Sequence, residues 1–591
     1  MKVNVNKQKV KLTHNTAAWR FYVVIGAVVL IYVGLVARTA FIQIVEPEML
    51  KKQGDLRSLR TASNKVHRGS IVDRNGRELA VSVPVETVWA DPKIIMKNNA
   101  LSMVEHWQAL ADVLDRNVDV IKERVTRNPS KRFVYIERKV SPAMATYIKQ
   151  LKIPGIHLRK ESKRFYPAGE ISAHVVGFTD VDDKGIEGVE RVYDQLLTGE
   201  NGQKRFRKDA KGNRIEVLEN VASKPSQDLM LSIDQRIQAL AYKELKGAVK
   251  AFKANSGSVV VTNVHTGEVL ALVNSPSYNP NNRRNVAIHR FRNRAITDFY
   301  EPGSILKPLT VLLGLEFGVV NSNSIIDTNP GVMRLGGRRV SDPINRGKQS
   351  LTDILVNSSN MGTSKIALSL PKQYYLDRFF EAGFGETTGI NLMGESMGMM
   401  HDRARWSKIE LATLSYGMGV AVTPLQLARF YSTLSNGGIK RPLTIIKQDA
   451  NSVEEDQSQR IYSSRYAAEV VGMLEHVVND KPSNKLAKVQ GYRVGGKTGT
   501  AFKAMAGGYG NDYIASFAGI APISQPELVV VVVINQPGGD LYHGGEVAAP
   551  VFSRVMKGAL RLLNIAPDNN QSTVESSKSV ARKKAQELTD V

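Results

Sequence analysis

An uninterrupted apolar run near the start of the chain predicts a membrane-spanning helix. Residues 21–37 read FYVVIGAVVLIYVGLVA and carry no charged side chain. A run of this length is near the lower limit for crossing a bilayer, but the long side chain of Arg38 can reach the membrane surface and allow the span to continue. We therefore predict a transmembrane anchor over residues 21–44.

Basic residues before the run predict its orientation. The first twenty residues contain no acidic side chain, and their basic ones are Lys2, Lys7, Lys9, Lys11 and Arg20. Positive charge stays on the cytoplasmic side, so residues 1–20 are expected to form a cytoplasmic tail, with the rest of the chain outside the inner (cytoplasmic) membrane. A cleaved signal peptide is the alternative, but residues 37–40 (Ala-Arg-Thr-Ala) make a poor cleavage site.

Between residues 45 and 225, helix-like and strand-like patterns alternate with frequent turns. Met103–Leu114 and Pro142–Leu151 have the apolar spacing of amphipathic helices, and Arg132–Ile136 alternates as a strand does. No group of side chains in this region suggests catalysis. We interpret it as an irregular α+β domain.

A more regular pattern covers residues 226–565. Asp234 can cap a helix that extends to Phe252, and a strand hairpin turns at residues 265–267. Three later strands and a final helix are predicted at residues 497–501, 513–520, 528–534 and 547–563. Together these elements predict an antiparallel sheet flanked by helices, with a long helical subdomain between its first two strands and its last three.

Composition narrows the possible chemistry. Apolar residues make up 42% of the 591 residues, which allows a sizeable core, and the absence of Cys excludes disulfides, thiolate catalysis and Cys-based zinc sites. No two His residues are closer than the 17 positions between His157 and His174, so no local pair of metal ligands exists. We expect neither a metal nor a cofactor.

The net charge of +24 suits an anionic polymer or membrane surface. The basic residues are spread along the chain without a nucleic-acid motif, so no nucleic-acid partner is expected. Residues 566–591 are polar and contain no aromatic residue. We predict that they form a disordered tail.

A Ser-x-x-Lys motif in the regular region brings a hydroxyl and an amine together. Pro302 and Gly303 should break the incoming chain, so a helix is expected to begin at Ser304, with Lys307 one turn later on the same face. A lysine whose pKa is lowered by its surroundings can act as the base that activates a hydroxyl. We expect the Ser304 hydroxyl to meet the Lys307 amine beside the strand at 497–500.

Two further motifs supply polar groups. In Ser358-x-Asn360, a hydroxyl and an amide two residues apart can relay a proton and hold a peptide carbonyl. The third motif, residues 497–500 (Lys-Thr-Gly-Thr), opens a predicted strand whose two threonines share the face opposite the lysine. Its glycine would leave room for a substrate backbone to lie alongside. Each motif alone is a weak signal, because such spacings occur by chance.

Taken together, the three motifs make the chain resemble the division-specific class B penicillin-binding proteins. Arg68–Ala80, Arg164–Gly169 and Gly185–Glu190 are similar to motifs of that family, and we expect them to form turns and buried charge pairs that hold their domain together. The resemblance implies a multidomain α+β fold with a pedestal over residues 45–225, similar to class B dimerisation domains, and a penicillin-binding transpeptidase domain over 226–565.

The resemblance also implies a D,D-transpeptidase that cross-links peptidoglycan stem peptides in the septal wall. The implied catalytic residues are Ser304 as nucleophile, Lys307 as general base, Ser358 as proton relay and Asn360 as ligand of the donor backbone. The implied residues for binding the substrate and its terminal carboxylate are Lys497, Thr498, Gly499 and Thr500. Backbone N–H groups of Ser304 and Thr500 would form the oxyanion hole.

The same resemblance implies partners and a location. The partners are stem peptides ending in D-Ala-D-Ala, β-lactam antibiotics, a polytopic glycosyltransferase of the SEDS family and other division proteins. The protein would be single-pass, with its catalytic domain in the periplasm.

Several alternatives share part of this pattern. Elongation-type class B enzymes carry the same motifs, and a D,D-carboxypeptidase would use water as acceptor. A β-lactamase would need a Glu-x-x-Leu-Asn segment between Asn360 and Lys497, and a bifunctional class A enzyme a Glu-Asp-x-x-Phe motif; neither segment is present. A non-catalytic division scaffold would have no need of all the motif residues.

Overall fold

The computed structural model describes residues 18–45, 47–64, 66–209, 214–401, 405–448, 458–505 and 508–569. The chain divides into two compact units, one from residues 1–66 and 200–225 and the other from residues 67–199 and 226–591. The segment predicted as a pedestal, residues 45–225, thus contributes to both units. Nearly all of the predicted cytoplasmic tail and most of the predicted disordered tail lie outside the described residues.

The first unit contains the predicted membrane span. The helix Ala18–Ala40 continues as a π-helical turn, Phe41–Val45, and its side chains are exposed in the isolated chain. Residues 18–44 are long and apolar enough to cross a bilayer. After the helix Pro47–Ser58, three antiparallel strands form a sheet in the order Leu59–Asn64, Gly202–Lys208 and Arg214–Val221.

The second unit begins with a mixed region of strands and helices. Its strands are Ile71–Val72, Glu78–Ala90, Val134–Val140, Ile156–Phe165, Phe178–Thr179, Gly185–Glu187 and Leu229–Met230. Its helices are Pro92–Lys97, Ala100–Ser102, Val104–Val113, Val118–Thr126, Pro142–Gln150, Gly169–Ile171, Ala173–Val176, Gly188–Val192 and Asp194–Thr198. The two predicted amphipathic helices are confirmed within one residue. The predicted strand at 132–136 is instead found at Val134–Val140, because Val134 pairs with Ala90, the last residue of the neighbouring strand.

A buried ionic cluster connects the three pedestal-like motifs. Arg68 and Arg164 each donate from Nε to the Glu190 carboxylate, at 2.7 and 2.6 Å, and Arg68 also pairs with Asp194 at 2.7 Å. The Glu190 side chain is completely buried. The expectation of buried charge pairs in these motifs is confirmed.

A five-stranded antiparallel sheet forms the core of the rest of the second unit. We number its strands β1 (Ser256–Asn263), β2 (Val269–Ser275), β3 (Gly495–Met505), β4 (Gly508–Ala521) and β5 (Leu528–Asn535); their order in the sheet is β2-β1-β5-β4-β3. The apolar side chains of β5 are buried, as expected for a strand covered on both faces. The predicted sheet topology is confirmed.

Helices cover both faces of this sheet. Asp234 caps the helix Gln235–Ala251 by accepting a hydrogen bond from Arg236 N, and this helix packs with the helix Ala549–Leu562 on one face. The predicted final helix, residues 547–563, is found at Ala549–Leu562 with Pro550 in its first turn, and a separate short helix, Gly544–Val547, precedes it.

A long helical subdomain lies between β2 and β3 in the chain. Its helices are Ile288–Arg290, Arg294–Thr297, Gly303–Leu306, Lys307–Phe317, Leu351–Asn357, Asn360–Ser369, Lys372–Glu381, Lys408–Leu414, Pro424–Ser435, Ser464–Asn479 and Pro482–Ala487. Its strand pairs are short: Ile325–Asp327 with Lys348–Ser350, Val332–Leu335 with Arg338–Ser341, Met399–Met400 with Val420–Ala421, and Ile439–Lys440 with Gln459–Arg460. This subdomain supplies two of the three predicted motifs.

Candidate active site

The Ser304 motif forms a tight turn that leads into a helix. Residues Gly303–Leu306 form a 3₁₀ turn, and the α-helix begins at Lys307, three residues later than predicted. Gly303 has φ +63°, a left-handed conformation that suits glycine. Its N–H donates to Gly417 O at 3.0 Å, and a side chain at Gly417 would place Cβ 2.2 Å from Gly303 O. The turn at Gly417 therefore fixes the backbone that carries Ser304.

Strand β3 packs directly against this turn. A Cβ built on Gly499 would lie 2.4 Å from Ser516 Oγ and 2.8 Å from Pro302 O. The space at Gly499 is therefore occupied by the protein's own backbone and the Ser516 hydroxyl. The missing side chain allows β3 to approach the Ser304 turn; that Gly499 also leaves room for a substrate backbone alongside the strand stays a prediction.

Lys307 lies at the base of the site and is completely buried. Its Nζ donates to Asn360 Oδ1 at 2.7 Å, to the Ser358 carbonyl oxygen at a short distance, and to Ser358 Oγ at 3.2 Å. Ser358 has φ +59°, an uncommon conformation for a residue with a side chain, at the end of the helix Leu351–Asn357. In this conformation the carbonyl oxygen and the hydroxyl of Ser358 both accept hydrogen bonds from the Lys307 amine.

Lys497 reaches the same hydroxyl from the strand. It is also completely buried, and its Nζ lies 3.2 Å from Ser358 Oγ and 3.4 Å from Thr498 O. Thr498 and Thr500 line the neighbouring cavity, whereas Lys497 does not. This agrees with the alternation expected along a regular strand.

Burial lowers the pKa of both lysines. For Lys307 it lowers the pKa to about 7; the negative charge of Asp342 acts in the opposite direction, and the positive charge of Lys481 lowers the pKa further. For Lys497, burial together with the charges of Lys307 and Lys481 lowers the pKa well below its usual value. Among the described residues no carboxylate contacts either amine, and two amines that share one hydroxyl in such surroundings are disfavoured as a doubly charged pair.

A cavity of about 390 Å³ opens above the two lysines. It is lined by Ser304, Pro343, Asn357, Ser358, Asn360, Lys481, Ser483, Asn484, Thr498, Thr500, His543, Gly545 and Glu546. The structure thus brings all three motifs to one site. Within the described chain, however, the Ser304 hydroxyl makes no hydrogen bond, so the direct contact with Lys307 that the sequence suggested is not formed in this state. Catalytic hydrogen bonds often tighten only when substrate is bound.

Asp342 supports this site and was not predicted from the sequence. Its Oδ1 accepts from the backbone N–H groups of Asn360 (2.5 Å) and Met361 (3.0 Å), and its Oδ2 accepts from Ser359 Oγ at 2.5 Å. The carboxylate thereby holds the beginning of the helix Asn360–Ser369, which carries the amide that contacts Lys307. Asp342 stands alone in a loop, outside any spaced motif, so no sequence pattern marks it.

The opposite side of the cavity is held by the segment after β5. Gly544 N donates to Thr500 Oγ1 at 3.1 Å, and a Cβ on Gly544 would lie 2.5 Å from Gly499 O. His543 and Glu546 line the cavity beside this contact. Residues 543–546 therefore position the hydroxyl of Thr500.

Two family models match the chain. The penicillin-binding protein transpeptidase domain matches residues 257–557, and the penicillin-binding protein dimerisation domain matches residues 63–231. The second match includes the buried ionic cluster, and the first includes every residue of the three motifs.

Curated proteins are similar over almost the whole chain. Peptidoglycan D,D-transpeptidase FtsI of Escherichia coli is 46% identical over 96% of this chain and 96% of its own length. The probable peptidoglycan D,D-transpeptidase PbpC of Pseudomonas aeruginosa is 38% identical over 94% of this chain and 97% of its own.

Solved structures agree with these relatives. A peptidoglycan synthetase from Bifidobacterium adolescentis superposes with a TM-score of 0.69 at 26% identity, covering 86% of this chain and 98% of that one. The transpeptidase domain of Burkholderia pseudomallei penicillin-binding protein 3 gives a TM-score of 0.53 at 38% identity, covering 57% and 98%. With sequence similarity along the whole chain and both domain models matched, the chain belongs to the family of penicillin-binding peptidoglycan D,D-transpeptidases.

Proposed function

We propose that this protein is a membrane-anchored peptidoglycan D,D-transpeptidase of the cell-division type that works through an acyl-enzyme on Ser304. The proposal rests on two fully buried lysine amines that both contact the hydroxyl of Ser358, which lines the same cavity as Ser304. The names of the similar FtsI proteins support the division role over the elongation-type alternative.

In the first step, the Ser304 oxygen attacks the carbonyl carbon of the penultimate D-alanine of a donor peptide. The hydroxyl proton passes to the neutral amine of Lys307, and Ser358 relays a proton to the departing amine of the terminal D-alanine. The C–N bond breaks and an ester to Ser304 remains. Backbone N–H groups of Ser304 and Thr500 would stabilise the negative oxygen of the tetrahedral intermediate.

In the second step, the amine of a neighbouring stem peptide attacks the ester carbonyl. The amine loses its proton through the same groups, Ser304 recovers its hydroxyl proton, and a new amide bond joins the two peptides. A β-lactam carbonyl acylates Ser304 in the same way as the donor, which makes these antibiotics inhibitors of the site.

The lysine pair links substrate binding to activation. The terminal carboxylate of the donor would lie against Lys497, Thr498 and Thr500. A carboxylate beside Lys497 favours the charged form of that lysine, and the new charge disfavours protonation of Lys307. Binding of the correct substrate would therefore keep the general base neutral.

The family and the apolar helix indicate a single-pass inner-membrane protein. The basic residues before the helix support a cytoplasmic N-terminus and a periplasmic catalytic domain. A glycosyltransferase of the SEDS family and other division proteins would supply glycan strands and direct the enzyme to the septum.

Labelling with a fluorescent penicillin tests the proposal. The full-length wild-type protein should be labelled covalently, and Ser304→Ala should not. Ser369→Ala, an exposed serine on the helix Asn360–Ser369, is the matched control and should be labelled like the wild type. Equal labelling of Ser304→Ala and wild type would refute the assignment of the nucleophile.

A further inference from the structure

A second cavity extends the site beyond the three motifs. It has a volume of about 570 Å³ and shares Pro343, Asn357, Lys481 and Ser483 with the cavity of Ser304. Arg346 lines only the second cavity, whereas Lys481 lines both. The two cavities therefore adjoin, with Lys481 lining both and Arg346 lining the second.

Arg346 and Lys481 lack anionic partners. Neither side chain makes a hydrogen bond or an ion pair with the part of the chain that the structure describes. Burial and the positive charge of Arg346 lower the pKa of Lys481, which is the effect of two cations facing each other without a counter-charge.

The two carboxylates that line this cavity are already engaged. Asp342 accepts three hydrogen bonds at the beginning of the helix Asn360–Ser369. Asp480 pairs with His476, with 2.9 Å between Oδ2 and Nδ1. The protein itself therefore leaves the positive charge of Arg346 and Lys481 available to a ligand.

The loop that carries Arg346 is held in place. Asp342 N donates to Gly331 O at 3.0 Å, Asn345 Nδ2 donates to Asn329 Oδ1 at 3.0 Å, and Gly347 O accepts from Thr328 N at 2.8 Å. A charge on a fixed loop loses less conformational entropy on binding than one on a mobile loop.

We propose that Arg346 and Lys481 bind a second carboxylate of the donor peptide, distinct from the C-terminal carboxylate held at Lys497–Thr500. This inference rests on the proposed acyl transfer to Ser304. The acceptor amine must approach the ester from the side that the terminal D-alanine has left. The second cavity is then free for the acyl part of the donor, which stays bound through both steps, and a cationic pair there selects peptides with an acidic side chain.

The test compares two synthetic acyl-D-alanyl thioesters that differ only in a side-chain carboxylate or the corresponding carboxamide. The measured quantity is the ratio of the two second-order rate constants for acylation of the full-length protein. The wild type should prefer the carboxylate by about fivefold. Arg346→Gln should bring the ratio close to one, Arg346→Glu should invert it, and Arg338→Gln, an exposed arginine outside both cavities, should keep the wild-type ratio.

Each outcome separates this proposal from the proposed function. A wild type that is acylated equally by both thioesters refutes the second-carboxylate site, while acyl transfer to Ser304 stands. A ratio that stays at the wild-type value in Arg346→Gln and in the double variant with Lys481→Gln also refutes it. If neither thioester nor penicillin acylates the wild type, the proposed function fails and the inference fails with it.

Discussion

Two groups of buried cations in the second unit, those of the ionic cluster and those of the candidate site, have different surroundings. In the ionic cluster, Arg68 and Arg164 both contact the carboxylate of Glu190. At the active site, Lys307 and Lys497 are equally buried, but their hydrogen-bond partners are neutral oxygens, among them the shared hydroxyl of Ser358.

The difference separates a structural role from a chemical one. A buried cation beside a carboxylate keeps its charge, and removal of the partner is strongly destabilising. A buried lysine without a carboxylate is instead shifted toward its neutral form, which is the form a general base requires. Burial thus accompanies ion pairing in the cluster, whereas at the candidate site it shifts the two lysines toward their neutral form.

The largest effect is expected from removing the amine at Lys307. Lys307→Met keeps much of the side chain's volume in its buried position but removes the proposed general base, so acylation by penicillin should slow by about 10²–10⁴-fold. The second-order rate constant of acylation measures this effect. Lys408→Met, which changes an exposed lysine, should retain the wild-type rate; a comparable rate in Lys307→Met would show that another group accepts the Ser304 proton.

A loss of stability, in contrast to a loss of activity, is expected from replacing Glu190. Glu190→Gln leaves Arg164 buried without its carboxylate partner and leaves Arg68 with Asp194 alone, so the free energy of unfolding should fall by about 3–5 kcal/mol. Urea denaturation followed by tryptophan fluorescence provides the measurement. The matched control is Glu123→Gln, because the Glu123–Arg127 pair is exposed and should contribute less than about 0.5 kcal/mol. Equal stability of the two variants would contradict a structural role for the cluster.

Much of the fold and of the candidate site could be predicted from the sequence. Ordered motifs and strand patterns identified Ser304, Lys307, Ser358 and the 497–500 strand, because each is defined by short-range spacing. The antiparallel sheet followed from apolar runs and turn residues in the same way. Local patterns were sufficient wherever the relevant residues lie within a few positions of one another.

The remainder depends on contacts between distant segments. Asp342 and Lys481 come from separate loops and reach the site only in the folded chain, so no spacing marks them. The contacts of Gly499 with Ser516 and Pro302 were not predicted for the same reason: a sequence shows that a side chain is missing but not which atoms lie beside it. Two helices begin later than predicted: one begins at Lys307, after the 3₁₀ turn that carries Ser304, and the other begins at Ala549, with Pro550 in its first turn.

A smaller effect is expected from the cation next to the lysine pair. The wild-type acylation rate should fall about tenfold per pH unit below the Lys307 pKa of about 7, since only the neutral amine accepts the proton. Lys481→Gln removes a positive charge that lowers this pKa, so the acidic limb of the pH–rate profile should move to higher pH. Lys485→Gln changes an exposed lysine on the helix Pro482–Ala487, which begins directly after Lys481, and should leave the limb in place. An unmoved limb in Lys481→Gln would show that the charge of Lys481 does not affect the pKa of Lys307.

The smallest effect is expected from changing Asp342. This carboxylate has a structural role, since it caps a helix, and an electrostatic one, since it favours the charged form of Lys307. Asp342→Asn should cost about 1 kcal/mol of unfolding free energy through the weakened cap. It should also move the acidic limb of acylation to lower pH, since the charge that raises the Lys307 pKa is gone. Asp353→Asn weakens the cap of the helix Leu351–Asn357 and should cost similar stability without moving the limb. If both variants shift the limb alike, the shift reflects loosening of the helices and not the charge of Asp342. If the acidic limb moves in Asp342→Asn alone, the Asp342 carboxylate raises the pKa of Lys307 without contacting its amine.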